Sequence, residues 1–213
     1  MATGSAQISP IEAVIFDIGG VLLDFDHSRA WKSLGKLAGV GWEDVRSYLL
    51  ESRLRIGYEL GEISSEEIFR RYSQKFQPGL TYEEFCSAWA QIFSEKKDVI
   101  EIAKSISRRV SIYALSNTDP IHFKFIVDSY NFLDFFDGRV LSFEVGSRKP
   151  DESIFRAAID LAGCAPSTCL FFDDIEEHVE AAATVGMKSR RFVSVEQMRK
   201  DLLLCGLINE KDK

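Results

Sequence analysis

Only four cysteines occur in 213 residues, and Cys86, Cys164, Cys169 and Cys205 form no C-x-x-C pair and stand near no histidine pattern. Neither a zinc site nor a redox motif is supported, and free, buried thiols are expected. A cationic surplus is also missing: 26 Lys and Arg face 33 Asp and Glu, a formal charge of −7. The pairs Arg108-Arg109 and Arg190-Arg191 are isolated, and a nucleic-acid surface normally carries a basic face, so no nucleic-acid partner is expected. No apolar run approaches the ~20 residues of a membrane span. Residues 1–10, MATGSAQISP, lack the basic start and apolar centre of a secretion signal, and the expectation is a cytoplasmic protein with no membrane partner. Internal repeats and low-complexity tracts are absent as well.

What is present is ordinary globular material, 46% hydrophobic and 28% charged, with 16 phenylalanines to fill apolar layers. The length suits one large domain, or a core domain with a smaller insert. Residues 12–16 read as a short strand ending at Asp17 and stopped by Gly19 and Gly20. From about 28 to 107 the apolar residues recur at helical spacing, as in WKSLGKLAGV, SEEIFRRYSQKF and KDVIEIAKSI. Ser64 or Ser65 before Glu67, and Thr81 before Glu84, have the pattern of helix caps. Gly57, Gly61 and Pro78-Gly79 break the helices.

Alternation then begins, with strands at 110–115, 139–143, 169–172 and 189–193 and helices near 120–130, 151–162, 176–184 and 195–204. Such alternation implies βαβ crossovers and a parallel sheet, to which the first strand also belongs. The expected fold is α/β, a Rossmann-like parallel sheet flanked by helices. A core domain at 11–26 and 108–213 carries a helical insert at 27–107 after the first strand, behind a polar lead at 1–10.

Four short sequences close apolar runs: VIFDIGG with Asp17, LSNT with Ser116 and Asn117, SRKP with Lys149, and LFFDDI with Asp173 and Asp174. Ligands of open α/β sheets gather at the carboxyl ends of strands. Three acids, one lysine and a hydroxyl-amide pair there suit a divalent cation and a phosphate. Each sequence alone has a plainer reading. Paired acids favour a helix N-terminus, Ser116 and Asn117 suit a turn or cap, and Lys149 suits an exposed loop.

Taken in order and spacing, the four resemble the haloacid dehalogenase superfamily, in the branch (subfamily IA) with a helical cap after the first strand. The resemblance covers nearly the whole chain and is closest to the sugar-phosphate phosphatases of the α-glucose-1-phosphate phosphatase type. It implies a hydrolase in which Asp17 is the nucleophile and forms an aspartyl-phosphate. It implies Mg2+ on Asp17, the backbone carbonyl of Gly19 and Asp174, with Asp173 beside them as ligand or supporting neighbour. Ser116, Asn117 and Lys149 are then the groups that grip phosphate. The substrate implied is a small phosphorylated metabolite, a sugar phosphate first; separately, a monomer or weak homodimer is expected.

One departure is Gly19, where the superfamily usually has a second Asp that does acid-base work; the sugar-phosphate branch shares the glycine. Asp24, Asp26 and His27 are the candidates for a substitute acid, with hinge and cap entry as their plainer role. His178 stands where relatives carry an Asp or Asn that supports the site, and it reads as a hydrogen-bond partner there or, more plainly, as a surface residue; His122 has the same plain reading. Trp31, Trp42 and Trp89 read as core of the helical insert. The RIGYELGEIS loop, with Arg55, Tyr58 and Glu59, is the place for substrate specificity. Two other readings stay open: a haloacid dehalogenase, which also lacks the second acid and needs no metal, and a catalytically weak binding protein. The pair Asp173-Asp174 speaks against the first.

Overall fold

The computed structural model describes residues 10–51 and 53–209, so all of the expected polar lead but Pro10 lies outside the described residues. In chain order the elements are β1 (Ala13–Phe16), β2 (Leu23–Phe25), α1 (His27–Ala38), α2 (Trp42–Glu51), α3 (Leu54–Glu59), α4 (Ser65–Phe76) and α5 (Tyr82–Ala90). There follow β3 (Phe93–Glu95), α6 (Lys97–Ile106), β4 (Ser111–Ser116), α7 (Pro120–Ser129), β5 (Gly138–Leu141), α8 (Ser142–Val145) and α9 (Glu152–Ala162). The last four are β6 (Cys169–Asp173), α10 (Glu176–Thr184), β7 (Lys188–Arg191) and α11 (Val195–Leu204).

Five strands pair in parallel in the order β5-β4-β1-β6-β7. Helices cover both faces, so the inner stretches of the three central strands, IYAL, AVIF and CLFF, are wholly apolar. Their alternate residues feed two cores. Val14, Phe16, Ile112, Ala114, Leu170 and Phe172 meet α6 and α11 on one side. Ala13, Ile15, Leu115 and Phe171 meet Ile154, Phe155 and Ala158 of α9 on the other. The register sets Phe16 level with Ala114 and Phe172, which brings Asp17, Ser116 and Asp173 to one edge.

Helices α1 to α5 form a block with its own core, where Leu34, Val45, Leu49, Tyr58, Ile68, Tyr72, Phe85 and Trp89 are buried. Two expected caps are in place. Ser64 accepts from Glu67 N, and Thr81 with Glu84 completes a capping box.

The helical stretch expected from 28 to 107 is not uniform. β2 and β3 pair antiparallel as a two-stranded ribbon joining block and sheet. Helix α6 packs Val99, Ile102, Ala103 and Ile106 into the sheet's core. Within RIGYELGEIS, residues 55–59 belong to helix α3 and are not loop. Of the three tryptophans only Trp89 is fully buried; Trp42 is 36% exposed. The cysteines are free thiols as expected, but Cys169 alone is fully buried. No helix among the described residues is long and apolar enough to cross a membrane.

The block sits directly on the sheet edge. Gly61 takes a positive φ of 71°, and a Cβ there would fall 2.4 Å from the carbonyl oxygen of Phe143. Only a residue without a side chain lets the two backbones meet so closely. Trp89 Nε1 donates to Asp119, and the Tyr58 hydroxyl accepts from Ile121 N and shares a hydrogen bond with Ser65.

Candidate active site

At the end of β1 the Asp17 carboxylate is buried, with Oδ1 accepting from Ile18 N at 2.7 Å and Oδ2 lying 2.9 Å from Lys149 Nζ. Lys149 is 1% exposed and far from a loop lysine in solvent, which corrects the plainer reading of SRKP. Its ammonium also donates to Asp173 Oδ2 at 2.6 Å and to the Leu115 carbonyl at 3.3 Å. Asn117 holds the lysine's backbone from both sides: Oδ1 accepts from Lys149 N and Nδ2 donates to Lys149 O. The amide side chain is therefore committed to positioning Lys149.

Asp173 is fully buried at the end of β6, and its remaining oxygen accepts from Ile175 N at 2.9 Å. His178 Nδ1 lies 3.1 Å from both Asp173 oxygens. His178 is thus buried on Asp173 as a hydrogen-bond partner and not on the surface, which corrects the plainer of its two readings; its helix folds back over the strand that carries its partner. Asp174, by contrast, faces a solvent-connected cavity of about 230 Å³ together with Asp17, Gly19, Ser116, Asn117 and Lys149. One oxygen from each of Asp17, Asp173 and Asp174 lies within 4.8 Å of the others.

One lysine against three crowded carboxylates sets the electrostatics. Burial pushes the Asp17 carboxyl up to about 8 against the pull of Lys149, with Asp173 and Asp174 adding to the rise. Burial, then Asp173, also raises Asp174. Asp173 moves the other way, because Lys149 and His178 outweigh its burial. Burial works to lower Lys149, yet Asp17 and Asp173 hold it above its usual range.

Two glycines shape this edge. Gly20 has φ of +82°, and a Cβ there would lie 2.4 Å from the Asp174 carboxylate. Gly19 faces the Phe25 ring, which a Cβ would meet at 3.1 Å. An aromatic side chain from β2 therefore stands beside the position where the superfamily usually has its second Asp. Among the suggested substitutes, Asp24 pairs with Lys96 and Asp26 caps α1 through Ser28 N, so neither faces the cavity.

His27 does line the cavity, against Phe25, Trp31 and His122. Burial, with Arg55 and His122 nearby, pushes its imidazole down from 6.5 to about 4. Near neutral pH it is uncharged and has no surplus proton to give. The unfolded chain then binds this proton more tightly than the folded one. The stability involved is complete above pH 6.5 and is lost as pH falls through about 4. It amounts to at most ~3 kcal/mol. Urea unfolding at several pH values should show the wild type losing stability, relative to His27→Gln, between pH 6.5 and 4; parallel curves would refute the assignment.

Several cavity residues carried no sequence signal. Asp119 caps α7 by accepting from His122 N, and its Oδ2 lies 2.6 Å from His122 Nδ1. The His122 ring spans Asp119 and the Trp89 carbonyl, 3.0 Å from Nε2, so this histidine too is buried and not on the surface. Burial would raise Asp119, but the charge and hydrogen bonds of His122 bring it below the usual carboxylate range. Arg148, beside Lys149, faces the insert and meets Glu59. Arg55 and Glu59 line the cavity, whereas the Tyr58 ring is buried in the block.

A hard divalent cation fits this donor set. Asp17, Asp174 and the Gly19 carbonyl are oxygen donors around one cavity, and the two carboxyls are raised by crowding that a cation would relieve. Asp173 already spends both oxygens on Lys149, His178 and Ile175.

Fold and site together define the class: a parallel α/β enzyme with a carboxylate-rich centre where its middle strands end. The chain belongs to the haloacid dehalogenase-like hydrolases, whose family profile matches residues 11–186. It is 29% identical over 191 residues to a D-ribitol-5-phosphate phosphatase of Bacteroides thetaiotaomicron, covering 84% of this chain and 90% of the relative. It is 24% identical over 182 residues to a phosphorylated carbohydrates phosphatase of Thermotoga maritima, covering 84% and 83%. A HAD-family enzyme of Bacteroides thetaiotaomicron, solved in complex with magnesium and inorganic phosphate, superposes with a TM-score of 0.77 at 23% identity. The alignment spans 85% of this chain and 93% of that one.

Proposed function

We propose that this hydrolase is a Mg2+-dependent phosphatase of small phosphorylated metabolites, sugar or alditol phosphates above all. The carrying observation is the cluster of Asp17, Asp173 and Asp174 around one buried lysine at the floor of a small cavity. The named activities of the two phosphatase relatives point the same way. Asp174 on the cavity wall, an oxygen donor for a cation, favours this reading over a dehalogenase, whose chemistry needs no metal.

In the reaction an Asp17 oxygen attacks phosphorus as the P–O ester bond breaks, the departing oxygen taking its proton from water, and a water then hydrolyses the aspartyl-phosphate to inorganic phosphate and regenerates Asp17. The Ser116 hydroxyl and the adjacent Asn117 backbone N–H grip the phosphoryl oxygens, and the Lys149 ammonium supplies positive charge beside them. Asp173 and His178 keep Lys149 charged and fixed, and Asn117 fixes its backbone. Asp17, Asp174 and the Gly19 carbonyl would hold Mg2+, whose charge offsets repulsion between carboxylate and phosphate. The insert, 27–107, serves as a cap over the core, 11–26 and 108–213, and limits water at the reacting centre. The partner is a small-molecule substrate, and the protein acts as a monomer or weak homodimer in the cytoplasm.

Phosphate release from sugar, alditol, nucleoside and aryl phosphates, with Mg2+ or with chelator, tests the proposal. Turnover confined to the Mg2+ samples is the expected result. Release that ignores the chelator would sink the metal assignment, and none from any compound, in folded protein, would sink the phosphatase reading.

A further inference from the structure

The wall of the cavity away from Asp17 holds an incomplete polar cluster. Arg55 and Glu59 lie one helical turn apart on α3, with Arg55 Nε 2.8 Å from Glu59 Oε1. Arg148 enters from the loop that delivers Lys149, and its Nη2 lies 3.1 Å from Glu59 Oε2. Even so, Glu59 Oε2 and Arg148 Nε are both buried, and neither has a hydrogen-bond partner among the described residues. Glu59 is 7% exposed, and Glu59 and Arg148 both line the cavity. Buried polar atoms are nearly always paired, because an unmade hydrogen bond forfeits the solvation they gave up.

What completes the pair must do two things at once, donating to a carboxylate oxygen and accepting from a guanidinium N–H. An alcohol hydroxyl has both capacities. A carboxylate or second phosphate accepts from Arg148 but is repelled by Glu59. An alkyl chain leaves both atoms unpaired.

Resting on the phosphatase reading, we infer that Glu59 Oε2 and Arg148 Nε form a hydroxyl-recognition subsite, which makes the preferred substrate a polyol monophosphate. The adjacency of Arg148 to Lys149 ties the two ends of the substrate together, since one loop supplies both the ammonium charge beside the phosphate and the hydroxyl contact. A site built to bond a hydroxyl rejects the analogue without it far more strongly than an apolar pocket rejects an extra group.

The test compares a pentitol or hexose monophosphate with a straight-chain alkyl phosphate of equal length and with a phosphorylated carboxylic acid. Wild-type kcat/KM should favour the polyol over the alkyl compound by about 100-fold or more, and over the acid as well. Glu59→Gln, and Arg148→Lys, which keeps the charge but removes the Nε donor, should each lower that polyol-to-alkyl ratio by about tenfold or more. A purely structural role, seating α3 on the core, would slow both substrates alike and leave the ratio intact, which would overturn the inference. Preference for the phosphorylated acid would overturn it too. Should no compound release phosphate, the phosphatase reading fails on its own. Calorimetry of the polyol and alkyl phosphates on the folded wild type then decides the subsite, with equal affinities counting against it.

Discussion

Replacing Asp17 by Asn is expected to cut phosphate release from every substrate by at least about four orders of magnitude, the loss typical of a removed nucleophile. The substitution is nearly isosteric. The amide oxygen still accepts from Ile18 N, Lys149 keeps Asp173 as its partner, and the strand core around Phe16 is untouched. What is lost is the oxygen that forms the covalent intermediate. Stopped assays with purified variant and wild type, beside circular dichroism to establish the fold, make the comparison. Residual turnover above about 1% of wild type, well over what a lost nucleophile leaves, would instead indicate direct attack by water, with Asp17 serving only the cation.

The same prediction bears on Gly19. A carboxylic acid there would have to displace the Phe25 ring, so the missing acid goes with an aromatic residue on the neighbouring ribbon. His27, the one suggested substitute on the cavity, is held neutral by burial. A sugar 1-phosphate has a better leaving oxygen than a simple alcohol and needs less help from an enzyme acid.

The parts legible in the sequence were those written in local pattern. Strands such as IYAL and CLFF are continuous apolar runs because both their faces are covered, and the expected strands and helices from 110 onward fall within a residue or two of those observed. The convergence of Asp17, Ser116, Lys149 and Asp174 followed from parallel topology, which puts all strand ends at one edge. The parts that escaped depend on partners distant in the chain. LDF and FSE are too short to show a period, and they pair only because block and sheet need a connection. His122 and His178 carry no local sign of burial; Asp119, Trp89 and Asp173 bury them. Arg148 carried no sign of a role, because its partner Glu59 reaches it from the other side of the cavity. Gly61 read as a helix breaker, yet its lack of a Cβ is used against Phe143.

Lys149 is expected to matter as much for folding as for turnover. It is a buried ammonium whose bonds to Asp17, Asp173 and the Leu115 carbonyl fill its three donor positions. Lys149→Met keeps the aliphatic stem and removes the charge, leaving buried carboxylates without their cation, a change that typically costs about 3–5 kcal/mol. For a chain of this length that is a fall of roughly 10 °C in Tm. Asp17 can escape the penalty by keeping a proton, since its carboxyl already stands at about 8 with the lysine present. A folded-state carboxyl raised above its unfolded value destabilises as pH rises through that range. Below about 8 Asp17 keeps that proton in wild type and variant alike. The difference between them comes from Asp173, which Lys149 holds low and which rises once the ammonium is gone; the loss in Lys149→Met should therefore be larger at pH 7.5 than at pH 5.5. Added Mg2+ should restore part of it, because a ligand that binds only the folded state stabilises by mass action. Urea unfolding at both pH values, with and without Mg2+, reads all three effects. A loss under about 1 kcal/mol at pH 7.5, against the cost usual for a broken buried pair, would mean the carboxylates are neutralised without Lys149. Its place in the site would then be for phosphate alone.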